Sequence, residues 1–122
     1  MNKVYVSHAS GFDFQKELYA PLKKLTGVEL VLPHENSKGA RSSKNIIKDC
    51  SIVIAEVSVP SHGVGVELGW ANAFGVPIIC ISKRGSLTSP SLKILSKEFL
   101  EYDQLKDVLP KLYSMIACIA KH

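Results

Sequence analysis

Ser51-Ile52-Val53-Ile54-Ala55 is apolar almost without a break, and so is Ile78-Ile79-Cys80-Ile81. A strand with one wet face alternates apolar and polar residues. A run that is apolar at every position suits a strand covered on both faces, as in the centre of a parallel sheet. Three further strand signals accompany these two: Val4-Tyr5-Val6, Val28 to Leu32 (Val-Glu-Leu-Val-Leu), and a weaker edge candidate, Phe99-Leu100-Glu101-Tyr102. Helical patterns fill the gaps. Leu18, Leu22 and Leu25 recur at helical spacing within Phe14 to Leu25, and Ile46 and Ile47 face inward in a short helix from Lys44 to Cys50. Leu105, Leu109, Leu112 and Ile116 stripe a last helix running to Ile119. His62 to Phe74 is the best marked, because Gly75 and then Pro77 form a C-terminal stop signal. Strands alternating with helices predict a parallel sheet with right-handed crossovers. The expectation is an α/β, doubly wound, Rossmann-like sheet of five parallel strands, ordered 2-1-3-4-5, with helices on both faces.

The chain has 122 residues, which reads as one domain able to bury a core without disulfide or metal staples. Its net charge of +4 is mild, and lysines such as Lys23, Lys24, Lys44, Lys48, Lys93, Lys97 and Lys121 are scattered. A nucleic-acid polymer needs basic residues gathered on one face, which is absent here, and a small anionic ligand fits this charge at least as well. Cys50, Cys80 and Cys118 lie far apart with no CxxC and no His at metal-ligand spacing, so the expectation is reduced thiols and no metal. The most apolar region, Val64 to Ile81, contains Glu67 and Pro77 and is split by Gly75, which does not suit a membrane span. Met-Asn-Lys-Val-Tyr-Val enters a strand directly, without the apolar stretch of a signal peptide. A cytoplasmic setting is the expectation.

In a doubly wound sheet, ligands bind beyond the carboxyl ends of the strands, where the strand order switches. With order 2-1-3-4-5 that crevice lies between strands one and three. Two loops converge on it: Ser7-His8-Ala9-Ser10-Gly11, and Val57-Ser58-Val59-Pro60-Ser61-His62-Gly63. Both are rich in small hydroxyl residues and glycine, and exposed amides at a helix start make an anion site with such hydroxyls. Gly63 and Gly65 also fit a simple turn or close packing. Glu67 is the anomaly. It stands in Gly63-Val64-Gly65-Val66-Glu67-Leu68-Gly69-Trp70-Ala71 with almost no polar neighbours, and Glu is rarely buried without a partner or a task. The helix dipole favours an acid in a first turn, which accounts for a surface Glu but not for one in these surroundings. At a helix start such a carboxylate can serve as nucleophile or as cation stabiliser. Trp70 and Phe74, a turn or more beyond it, read as core or as a subunit interface.

The run from Ala55 to Ala71, Ala-Glu-Val-Ser-Val-Pro-Ser-His-Gly-Val-Gly-Val-Glu-Leu-Gly-Trp-Ala, resembles the nucleoside 2-deoxyribosyltransferase superfamily, closest to its 2′-deoxynucleoside 5′-monophosphate N-glycosidases. The resemblance extends from the first strand through Tyr102 and is most specific between Ile52 and Ile81. It implies a doubly wound homodimer that cleaves the N-glycosidic bond through a glutamate, passing the deoxyribosyl group to water or to another base. By this resemblance Glu67 is the nucleophile and Tyr5 lies close to the reacting sugar. Ser61 binds phosphate, and Ser91 binds it from the neighbouring subunit. Ser91 taken alone reads equally as a helix N-cap. The resemblance implies no metal and no organic cofactor. Two departures stand out. Where the family has an aspartate beside the nucleophile this chain has Ser43, and Asp49, six positions further along the helix, points elsewhere. The first loop has His8, Ser10 and Phe12 in place of a Gly-Ser-x-Arg-Gly pattern. His34 or Glu35 could protonate a leaving base, or simply cap a loop. The expected activity is hydrolysis of (deoxy)nucleoside 5′-monophosphates; the alternatives are a nucleotide-sensing module without catalysis, and a deoxyribosyltransferase.

Overall fold

The structure is a computed structural model and describes residues 1–36 and 43–120. Five strands, β1 (Asn2–His8), β2 (Val28–Val31), β3 (Ile52–Glu56), β4 (Ile78–Lys83) and β5 (Glu98–Tyr102), pair in parallel in the order β2-β1-β3-β4-β5. The two unbroken apolar runs form β3 and β4 beside the strand-order switch, and every residue of β3 is buried. Alternation along the strands sends side chains to two cores. Val4, Val6, Ile52, Ile54, Ile79 and Ile81 pack on one face with Leu18, Leu22, Leu112 and Ile116. Tyr5, Val53, Ala55, Ile78 and Cys80 pack on the other with Ile47, Val64, Leu68 and Ala71. Each fully buried aliphatic side chain contributes roughly 1.5–3 kcal/mol relative to exposure, so these layers fix the sheet between its helices.

The helices are α1 (π-wound over Gln15–Tyr19, then α over Ala20–Leu22), α2 (Pro33–Asn36), α3 (Lys44–Lys48), α4 (His62–Ala73), α5 (Leu92–Leu95) and α6 (Leu109–Ala120). The stop signal after α4 works as expected. Gly75 takes φ 71°, its N–H donates to Asn72 O at 3.1 Å, and the Val76 N–H reaches Ala71 O at 2.9 Å. This arrangement satisfies carbonyls that the helix end would otherwise leave open. Elsewhere the winding departs from the expected continuous helices. The Ala20 N–H bonds Gln15 O, five residues back. Pro21 has no N–H for the Glu17 carbonyl and its ring crowds that position, so the turn before it widens. A 3₁₀ turn over Leu105–Val108 precedes α6, because Pro110 restricts α winding to start beside it. α2 and α5 are single turns.

Cys50 and Cys80 are buried free thiols, and burial pushes both up, Cys80 to about 11. Cys118 is free and exposed. Among the described residues no helix is long and apolar enough to cross a membrane.

Candidate functional site

Tyr5 and Ser7 are two apart on β1, so both face α4, and both are essentially inaccessible to solvent. Glu67 meets them from α4. Tyr5 Oη donates to Glu67 Oε2 at 2.5 Å and Ser7 Oγ donates to Oε1 at 2.8 Å. Ser43, at the N-cap position of α3, donates its Oγ to Oε2 at 2.5 Å. Three elements therefore converge on one half-buried carboxylate, and both of its oxygens are held. Burial chiefly, then the hydrogen bond and charge of Glu67, push the Tyr5 phenol far above its ordinary value, against a smaller opposite pull from Ser43. Tyr5 is thus a fixed donor at physiological pH. Glu67 is the sixth residue of a helix that begins at His62, so it sits in the second turn rather than at the very start as expected. The first turn holds no acidic residue, and the helix dipole does not account for Glu67.

The start of α4 lies next along the chain. Ser61 is its N-cap in extended geometry (φ −151°, ψ 130°), and its Oγ accepts the Val64 N–H at 3.3 Å. Gly63 and Gly65 are exposed. A Cβ on Gly63 would come no nearer than 3.7 Å to Ser61 Oγ, and one on Gly65 would meet nothing within 4 Å. Neither glycine is demanded by packing inside the chain, and their bare backbone leaves room for a ligand over the first turn.

The other expected site residues are placed differently. Ser10 is exposed in the loop after β1. His8 is only 7% exposed and points, with Val4 and Val6, to the face opposite Glu67. Its Nδ1 lies 2.7 Å from Ala9 O and its Nε2 2.5 Å from Tyr19 Oη, among the rings of Phe12, Phe14, Tyr19 and His34. Both nitrogens are occupied, so His8 is not brought to the carboxylate; desolvation lowers its pKa. Ser91 is exposed at the N-cap position of α5 without making a cap bond. His34 is exposed, packed against His8 and Phe14, while Glu35 pairs with Lys23 at 2.6 Å. One further buried polar group at this end of the sheet is not evident from the sequence pattern: Glu56, 2% exposed, whose carboxylate accepts the Tyr102 hydroxyl and the Ser58 N–H. Its only trace there is an acid inside the apolar run Ile52 to Val57.

No family model matches the chain. Individual proteins do. A protein of Syntrophotalea carbinolica bearing the name 2′-deoxynucleoside 5′-phosphate N-hydrolase 1 is 31% identical over 74 residues, 58% of this chain. The match covers 52% of that protein, so the chain spans about half the length of the curated relatives of this kind. The 5-hydroxymethyl-dUMP N-hydrolase of Rattus norvegicus is 51% identical over 37 residues, 30% of this chain and 23% of that one. Among solved structures, the CMP N-glycosidase of Clostridium botulinum superposes with TM-score 0.65 and 28% identity, over 90% of this chain and 97% of its own. A Francisella response-regulator receiver domain superposes with TM-score 0.60 at 16% identity, over 99% of this chain and 98% of its own, a likeness of fold alone.

Proposed function

For a chain that belongs to the nucleoside 2-deoxyribosyltransferase-like superfamily, on its N-glycosidase branch, we propose that the reaction is hydrolysis of the base–sugar bond of (deoxy)nucleoside 5′-monophosphates. One observation carries this reading: Tyr5 and Ser7 from β1 and Ser43 from the start of α3 hold the Glu67 carboxylate, at the end of the sheet where α4 also offers Ser61 and open amides. Oε2 accepts two hydroxyls and Oε1 only one, which leaves Oε1 the freer lone pairs. Oε1 attacks the anomeric carbon of the sugar, the glycosidic bond breaks, and its electron pair leaves with the base, which takes up a proton. Water then attacks the same carbon, Glu67 departs as carboxylate, and (deoxy)ribose 5-phosphate is released, as in retaining glycoside hydrolysis. Ser61, the α4 amides bared by Gly63 and Gly65, and Ser10 in the first loop hold the phosphate.

The homodimer with a shared site belongs to the same reading. Ser91 completes the phosphate site of a partner subunit, and Leu87 and Ile94, 92% and 83% exposed on either side of it, supply apolar surface for such a contact.

A second reading, a nucleotide-sensing module, is favoured by Ser43. A hydroxyl beside Glu67 orients it but cannot pass a proton to a leaving base near neutral pH. Incubating the protein with a panel of ribo- and deoxyribonucleoside 5′-monophosphates, and following free base by chromatography, separates the two. Released base supports the hydrolase. Saturable binding of a nucleotide without release gives the sensing reading instead.

A further inference from the structure

We infer that Glu56 is a positioning residue: with Tyr102 and Ser58 it latches the β3–α4 loop, setting Ser61 and the amides after it for an anion. This deepens the monophosphate reading above and rests on it. Glu56 ends the central strand β3 and is 2% exposed. Its two oxygens take different partners. Oε1 accepts the Ser58 N–H at 2.6 Å, and the other oxygen accepts the hydroxyl of Tyr102, the last residue of β5. Ser58 is held a second time, its Oγ accepting the Lys83 N–H at 2.8 Å from the end of β4. Two residues beyond β3, the chain is thus tied to the end of the neighbouring β4 and, through Glu56, to the end of β5 beyond it. Ser58 is followed by exposed Val59 and Pro60 and then by Ser61. What the latch fixes at Ser58 is therefore carried through two unburied residues to the helix start.

An apolar side chain would pack this position without needing two donors, since a buried carboxylate has to be compensated by hydrogen bonds. The compensation joins the loop, through the Ser58 N–H, to the end of β5, through the Tyr102 hydroxyl. The fixed loop lowers the ordering cost of binding an anion there. Glu56 itself does not touch the substrate.

The test compares wild type with Glu56→Ala, Glu56→Gln and Tyr102→Phe. Amide hydrogen exchange over residues 58–64 and a titration with inorganic phosphate followed by amide chemical shifts are the primary readouts. Glu56→Ala is expected to speed exchange at Ser58 and to weaken phosphate binding by about tenfold, the size expected for a lost charge-assisted hydrogen bond. Glu56→Gln, which still offers Ser58 an acceptor, restores affinity to within about twofold, and Tyr102→Phe falls between. In turnover, KM for a monophosphate rises in Glu56→Ala while kcat holds. Unchanged loop exchange and phosphate affinity in a folded Glu56→Ala protein overturn the latch. If that variant does not fold, unchanged values in Tyr102→Phe overturn it equally. Absence of phosphate binding by wild type also overturns it. A wild type that binds phosphate but releases no base from any nucleotide contradicts the hydrolase reading alone, and the exchange and titration data still judge the latch.

Discussion

Ser43 Oγ donates to Glu67 Oε2 at 2.5 Å, in the place where the family resemblance of the sequence leads one to expect an aspartate. The hydroxyl keeps the geometry of that contact and loses its acid–base chemistry. If turnover is limited by protonation of the leaving base, Ser43→Asp raises kcat by about 10²-fold or more, the range supplied by a placed general acid. Ser43→Ala, which only removes one donor, lowers kcat by about tenfold or less. Steady-state rates of base release measure both. A Ser43→Asp protein no faster than wild type shows that another group supplies the proton.

The proposed dimer with a shared site has a direct consequence for mixed dimers. Subunits carrying Glu67→Ala and subunits carrying Ser91→Ala are each expected to be inactive or weak on their own. In a heterodimer one site pairs an intact Glu67 with an intact Ser91. Mixing equal amounts and allowing exchange is expected to restore about a quarter of the wild-type activity, because half the dimers are mixed and each has one good site. No recovery, with subunit exchange verified, shows that Ser91 acts within its own chain or not at all.

His8 gives the fold a pH dependence. Desolvation in its aromatic surroundings holds the folded imidazole below its ordinary 6.5, so below that pH the unfolded chain binds a proton that the folded one does not. Its contribution to stability is complete above 6.5 and is lost as the pH falls through the folded value. Thermal unfolding from about pH 7.5 down to about pH 5 is expected to show a falling Tm, with a shallower fall in His8→Gln. Equal slopes in the two proteins contradict this assignment.

The fold was legible because its centre is chemically extreme. The unbroken apolar runs at Ile52 and Ile78 admit few places other than the middle of a parallel sheet, and that is where β3 and β4 lie. Gly75 marked the end of α4 through local backbone physics, which sequence shows directly. The π-wound start of α1 was not legible, since it follows from how Pro21 displaces one carbonyl inside an otherwise helical pattern. At the site, Glu67 announced itself by its apolar neighbours. Its partners did so only partly. Ser7 reads as a loop hydroxyl for phosphate, yet its spacing of two from Tyr5 places it on the carboxylate. His8 looked equally suited to the ligand, and the same alternation turned it to the other face. Glu56 and Tyr102 lie 46 residues apart, and only the strand order brings them together.

In the proposed reaction, Glu67 itself attacks the sugar. The measurement closest to it is the single-turnover rate of base release from the best nucleoside monophosphate, with enzyme in excess, for wild type and for Glu67→Ala. Phosphate binding by both proteins should be shown equal first. Glu67→Ala is expected to retain binding and to lose about 10³-fold or more in rate. A variant that releases base at the wild-type rate contradicts it.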